Sequence, residues 1–205
     1  MKHPEFLLLP VAMIADYLLT IASARLRERG HAEHFKAEHF ELNPVWQDSV
    51  ARKRWFNARH LVATLVLSTF LIACIEALPE DMLLVSFIGG AMIGIQGAVI
   101  GRHLGNLATF LYMRRHPHAI EGTVTLKHEL MLWLSLFQLG SLLAVSAILA
   151  IYVPHPAVFG VFAGTLVLAL IHLIWIRRSR RVAKRLSAPP WPTAPTGARA
   201  DDTNA

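Results

Sequence analysis

The sequence predicts an all-α, polytopic membrane protein with five transmembrane helices, its amino terminus outside and its carboxyl terminus inside. Three observations carry that prediction. Five apolar runs, Phe6 to Ala24, His60 to Leu78, Met82 to Gly101, Glu129 to Val153 and Ala157 to Ile176, each come near the ~20 residues a helix needs to cross ~30 Å of hydrocarbon. Mean hydropathy is +0.44 and 54% of the chain is apolar, too much for 205 residues to hide in one soluble core. With the amino terminus outside, 19 of the 20 Lys and Arg fall on the inner side, leaving only Lys2 outside, as the positive-inside rule demands.

That topology also accounts for the net charge of +6 and the basic pI. In a soluble protein such a balance suggests nucleic acid; here it is an inner rim facing lipid phosphate, and no nucleic-acid partner is expected. The implied setting is the bacterial inner (plasma) membrane, with the bilayer as first partner. Lys2 before an apolar stretch ending in Ala22-Ser23-Ala24 also reads as a cleavable signal peptide. Cleavage would leave four helices and export the Arg-rich end, so the first run is expected to stay as a helix. Cys74 is the only cysteine, which excludes an intramolecular disulfide and Cys-pair redox chemistry.

Taken in order, the first helix is predicted at about 6–24, ending where Arg25, Arg27, Glu28 and Arg29 lead to Gly30. An inner polar segment follows with a short tandem repeat, Ala32-Glu33-His34-Phe35 and Ala37-Glu38-His39-Phe40. Asn43-Pro44 is a helix-start signal, since Asn caps orphan amides and Pro suits the first turn. The second helix is therefore predicted to run unbroken over about 44–78, its inner part carrying Trp46, Trp55 and Phe56 at headgroup level. The turn Pro79-Glu80-Asp81 makes the third helix, about 82–113, an antiparallel neighbour, and His116-Pro117 ends it. The fourth and fifth helices are predicted at about 127–153 and 157–177. Residues 1–185 thus form one five-helix domain, and 186–205, rich in Pro and small polar residues, a disordered cytoplasmic tail.

Helical periodicity then selects candidate residues. Gly90, Gly94, Gly97, Gly101 and Gly105 fall on one stripe of the third helix, a close-packing surface of the kind helices use in lipid, and Gly160 and Gly164 repeat the spacing on the fifth. The other side of the third helix carries Gln96, His103 and Asn106. Asp16, Thr20, Ser23 and Arg27 form a polar stripe on the first helix, with Asp16 near the bilayer centre. An aspartate there costs at least ~2.5 kcal/mol, so it is expected to face other helices or water. His60, His103 and His128 lie at the inner boundary of three helices and His172 a turn deeper on another. One histidine from each of four helices suggests a proton path, a transition metal or a haem. Arg59 and Arg102 precede two of them in matching Arg-His-Leu triplets and suit an anion. In the polar segment His31, His34, Glu38 and His39 have a loose metal-ligand spacing.

Asp16-Tyr17-Leu18-Leu19-Thr20, followed by Glu41-Leu42-Asn43-Pro44, resembles a pattern found near the start of small, uncharacterised bacterial integral membrane proteins. The resemblance implies that Asp16, Thr20, Glu41 and Asn43 act as a unit. Arg115-His116-Pro117 superficially resembles the Arg-His-Pro motif of isoprenylcysteine-type membrane methyltransferases, but Ala119 stands where their tyrosine follows. No phosphate-cradling glycine loop or serine nucleophile elbow is visible.

The leading expectation is ion or small-solute transport or channel-like activity, by an oligomer since five short helices enclose little volume. Asp16, Thr20, Gln96, His103, Asn106 and His172 would bind the solute, with Glu41, Asn43, Arg59, His60 and Arg102 as an inner gate or anchor. The alternatives are a haem- or metal-binding redox component using His60, His103, His128 and His172, and a membrane enzyme acting on a lipid headgroup.

Overall fold

A computed structural model describes residues 4–29, 31–32, 34–37, 41–78 and 82–187. Glu33, Glu38, His39, the turn 79–81 and the predicted tail beyond 187 lie outside the described residues. The α-helices are α1 (Leu8–Glu28), α2 (Gln47–Ala51), α3 (Ala58–Ala77), α4 (Met82–Arg115), α5 (His128–Tyr152) and α6 (Pro156–Ser187). Two short strands, β1 (Phe35–Ala37) and β2 (Val124–Leu126), pair in parallel. Five helices, all but α2, are long and apolar enough to cross a membrane.

Alongside apolar clusters such as Leu42, Leu132 and Ile176, small polar residues turn into the bundle while many large apolar ones stay exposed. On α3, Thr64 and Ser68 are buried while Val62, Val66 and Phe70 are each about 60% exposed or more. The centre of the bundle is the α4–α6 pair, which runs parallel because Gly90 meets Ala157 and Gly94 meets Val161. A Cβ on Gly160 would lie 2.0 Å from the Phe87 carbonyl oxygen, and one on Gly164 2.1 Å from that of Ala91. The two glycine runs therefore interlock backbone to backbone. Gly97, Gly101 and Gly105 have open space where a Cβ would stand, so the stripe closes only one end of the helix pair.

The predicted second helix, 44–78, is corrected to two helices with a break at 52–57. Lys53 takes a positive φ of 49°, and Asn57 restarts the helix, its side chain accepting the His60 amide at 3.3 Å. The signal was the Asn57 cap, hidden by the continuity of apolar and basic residues around it. The break is held from α1: the Tyr17 hydroxyl donates to the Arg54 carbonyl at 2.7 Å, and Arg25 donates to that of Lys53 at 2.8 Å. Lys53 also pairs with Glu28. This fold-back lays α2 on α1, where Val50 and Trp46 cover Tyr17, Ile21 and Ala24.

Other bounds move outward. The first helix continues past 24 to Glu28, and the fifth spanning helix past 177 to Ser187. The β1–β2 pair was not foreseen, because two three-residue strands far apart in sequence leave no local signature. It ties the polar segment after α1 to the connection before α5, with the His34 ring nitrogen Nδ1 2.9 Å from the Gly122 carbonyl oxygen.

Candidate functional site

The tight glycine contacts lie at one end of α4. About 18 Å along the same helix, at 1.5 Å per residue, its polar face reaches Arg102 and His103. There α1 contributes Asp16 and Thr20, because parallel packing of α1 on α4 sets Phe6 beside Gly89 and Thr20 beside His103. Asp16, the acid expected to avoid lipid, does face the polar side of α4.

The Thr20 hydroxyl donates to the Asp16 backbone carbonyl at 2.9 Å, so its oxygen is left to accept from His103 Nε2 at 3.0 Å. The proton of this ring is thereby placed on Nε2, which also lies 3.1 Å from Asp16 Oδ1. That second contact is an ion-pair distance without hydrogen-bond alignment, and Asp16 Oδ1 is buried with no hydrogen bond. His103 Nδ1, also buried, has no hydrogen bond either. The pair therefore has a vacant acceptor on each partner, at a place where unsatisfied polar atoms are costly.

A second polar chain adjoins it. Arg102 Nη1 donates to Ser135 Oγ at 2.9 Å, and Ser135 lies 3.0 Å from His172 Nε2. His172 Nδ1 is 2.9 Å from the Leu168 carbonyl, an acceptor, so Nδ1 carries the proton and Nε2 accepts from Ser135. Ser135 is thus the hinge between the guanidinium and the imidazole, joining α4, α5 and α6.

Both chains border a cavity of about 210 Å³. Asp16, Thr20, Glu41, Asn43, His60, Gln96, Arg102, His103 and His172 all line it, nine of the eleven residues expected for the binding site and gate. Both halves of the Asp-to-Thr and Glu-to-Pro pattern thus meet on one cavity, although a polar linker separates them in sequence. Glu41 turns inward because its Oε1 accepts the Asn43 amide at 2.7 Å, while the Asn43 side chain accepts from the Val45 amide at 3.0 Å. Burial holds the Glu41 carboxyl above the ordinary glutamate range; the Asn43 amide, Arg102 and His103 pull it down less strongly.

Two expected residues stand elsewhere. Asn106 lies a turn beyond His103 and lines the groove between α4 and α5 instead, because its position on the α4 surface turns toward α5. Arg59 sits over the Trp46 ring, 5.8 Å from its centre, and lines a separate surface hollow with Asp48 and Arg52. His60 is held between Tyr17, edge-on at 4.6 Å, and Trp46, stacked at 5.1 Å.

The proposed four-histidine set does not assemble. His128 lies outside the cavity that His60, His103 and His172 line, and no three His, Cys, Asp or Glu among the described residues are placed to hold a metal. His103 Nε2 and both nitrogens of His172 are engaged in hydrogen bonds, and the cavity is below the ~300 Å³ at which drug-sized ligand pockets begin. The residues present do not fit a haem. In the polar segment His31 is buried with Nε2 3.1 Å from the Phe110 carbonyl, a structural tie between α1 and α4.

Two residues matter more than their sequence context suggests, Ser135 as the junction of the second polar chain and Tyr17 as a clasp. Ser135 had a legible signal in its position, one serine among large apolar residues near His128. Tyr17 had none beyond its neighbour Asp16.

Fold and site together define a class: a bundle with five helices long enough to span a membrane, enclosing a charged cavity toward its basic end. The chain matches no protein-family model, and the searches of curated proteins and of solved structures return no match.

Proposed function

We propose that this protein moves an ion or small polar solute across the bacterial inner membrane, with Asp16 and His103 as the coordination or protonation site. The observation that supports this reading is the Asp16–His103 contact at 3.1 Å inside a cavity that reaches toward both ends of the bundle. Toward the basic end the cavity shares Glu41, Arg102 and His103 with the groove between α4 and α5. Toward the other end it shares Gln96 with an apolar hollow of about 180 Å³ lined by Phe6, Leu9 and Met92. Gln96 is then the septum, its buried Oε1 without a hydrogen bond and available to a passing solute.

An acid at this depth is costly to keep, and acids retained there characteristically line ion and proton pathways. In this scheme the basic rim faces the cytosol and Arg102 with Glu41 forms the cytosolic mouth.

The test uses the full chain in liposomes containing a pH-sensitive dye, with a potassium–valinomycin potential, and parallel assays of sodium and potassium uptake. The expected result is flux above protein-free vesicles, abolished by Asp16→Asn and by His103→Ala in folded protein. Flux of all three cations equal to protein-free vesicles overturns transport of these ions. Flux unchanged in both variants removes Asp16 and His103 from the path.

A further inference from the structure

Arg102 is a half-buried cation that makes no ion pair with the described residues. No carboxylate among the described residues lies within ion-pair distance of it, and its side-chain partner is the neutral Ser135 hydroxyl. Glu41 is near enough to feel its charge without pairing with it. Arg102 therefore keeps most of its five donors for something else.

What it faces is open. Arg102 lines the polar cavity and also both halves of the α4–α5 groove, of about 280 and 400 Å³. The groove exists because α4 presents Gly101 and Gly105 to α5, and where a Cβ would stand on either there is only space. From Arg102 toward the tightly packed end its walls are apolar, formed by Val99, Leu139, Leu142 and Leu168. Around Arg102 they become polar, with Asn106 and Gln138.

Counted from the start of α6, Arg102 falls about one helical turn inside the length a hydrocarbon span requires. α6 begins at Pro156, and ~20 residues at 1.5 Å each reach Ile176, one turn past His172, which Ser135 joins to Arg102. A cation just beneath headgroup level, with an apolar trough leading from it toward the bilayer centre, has the polarity of one lipid lying in its leaflet.

We infer that the α4–α5 groove binds a phosphate-headed membrane lipid, its phosphate on Arg102 with Asn106 and Gln138 and one hydrocarbon chain along Gly101, Val99, Leu139 and Leu142. The guanidinium offers a forked pair of donors that matches a phosphate, and the groove admits the lipid sideways from the bilayer. This site is distinct from the Asp16–His103 pair and does not depend on transport.

The test is equilibrium binding of radiolabelled dodecyl phosphate to the purified full chain in maltoside micelles, with inorganic phosphate and dodecyltrimethylammonium as competitors. Saturable binding of one dodecyl phosphate per chain is expected, displaced by neither competitor. Arg102→Gln should weaken it at least about tenfold, the loss that follows from removing a charge-assisted pair. Gly105→Leu, which fills the groove and leaves the charge, should weaken it similarly in protein of unchanged helicity. Asp16→Asn should leave it intact, so failure of the transport reading is separable from failure of this one. Displacement by inorganic phosphate would show an anion site without a lipid. Displacement by the cationic amphiphile, absence of saturable binding, or binding unchanged in both Arg102→Gln and Gly105→Leu overturns the inference.

Discussion

Substituting alanine for glycine has opposite consequences at two places on the same helix pair, and the sign follows from the local spacing. At Gly160 the new methyl would lie 2.0 Å from the Phe87 carbonyl oxygen and 2.7 Å from the Ala91 amide nitrogen, both backbone atoms that cannot rotate away. Restoring an ordinary 3.4 Å contact requires the two helices to part locally by about 1.4 Å. A gap of ~0.5–1 Å already forfeits a quarter to a half of the contact energy, and in lipid that contact energy is the main attraction between helices. Overpacking of this kind costs about 1–3 kcal/mol, and here the larger figure applies because several turns of α4 and α6 must separate together. At Gly97 there is nothing within 4 Å, so Gly97→Ala meets no obstacle and gains the helix propensity difference of up to ~1 kcal/mol. The assay is reversible unfolding in mixed micelles, titrated with dodecyl sulfate and followed by circular dichroism. The interlocked arrangement predicts Gly160→Ala less stable than the parent by about 3 kcal/mol and Gly97→Ala equal or more stable. Equal stability of Gly160→Ala and the parent would refute the α4–α6 packing described here.

His103→Leu removes the ring bonded to Thr20 and leaves the Asp16 carboxyl without its neighbour, and should cost about 1–3 kcal/mol; Asp16→Asn in the same chain should restore part of that in the same unfolding titration. Tyr17→Phe removes the donor to the Arg54 carbonyl and should cost about 1 kcal/mol, with faster hydrogen exchange confined to residues 52–57. Glu41 has a raised pKa, so the folded protein holds a proton that the unfolded chain has released; stability should fall as pH rises from the ordinary glutamate value through the raised one, and level off above it. Thermal midpoints between about pH 4 and about pH 8 check this, and Glu41→Gln should flatten that part of the profile.

How far the site was legible depended on whether a residue's role was set by its own helix. Asp16, Thr20 and His103 stood out because a polar stripe on a helix bound for lipid must turn toward other helices, and those three do meet. Asn106 shares a helix and a groove with His103, and only the position of α5 shows that it stays out of the cavity around Asp16. Arg59 and Arg102 have the same triplet context, Arg-His-Leu, yet one lies over Trp46 and the other at the junction of three cavities. Local sequence cannot separate them, because the difference comes from the chain reversal at 52–57 that turns α2 back onto α1.

By itself the sequence determined the helical class, the number of spanning-length helices and the polar stripes, because hydropathy and the 3.6-residue period act within one segment and need no partner. The break after α2, the pairing of β1 with β2, and which glycines lock and which leave room were decided by tertiary structure. Each depends on atoms far away in the chain: the Tyr17 hydroxyl on a distant carbonyl, a strand partner almost ninety residues on, the backbone of α6 against α4. A segment carries its own preference for helix and for lipid, but the space beside it belongs to its neighbours.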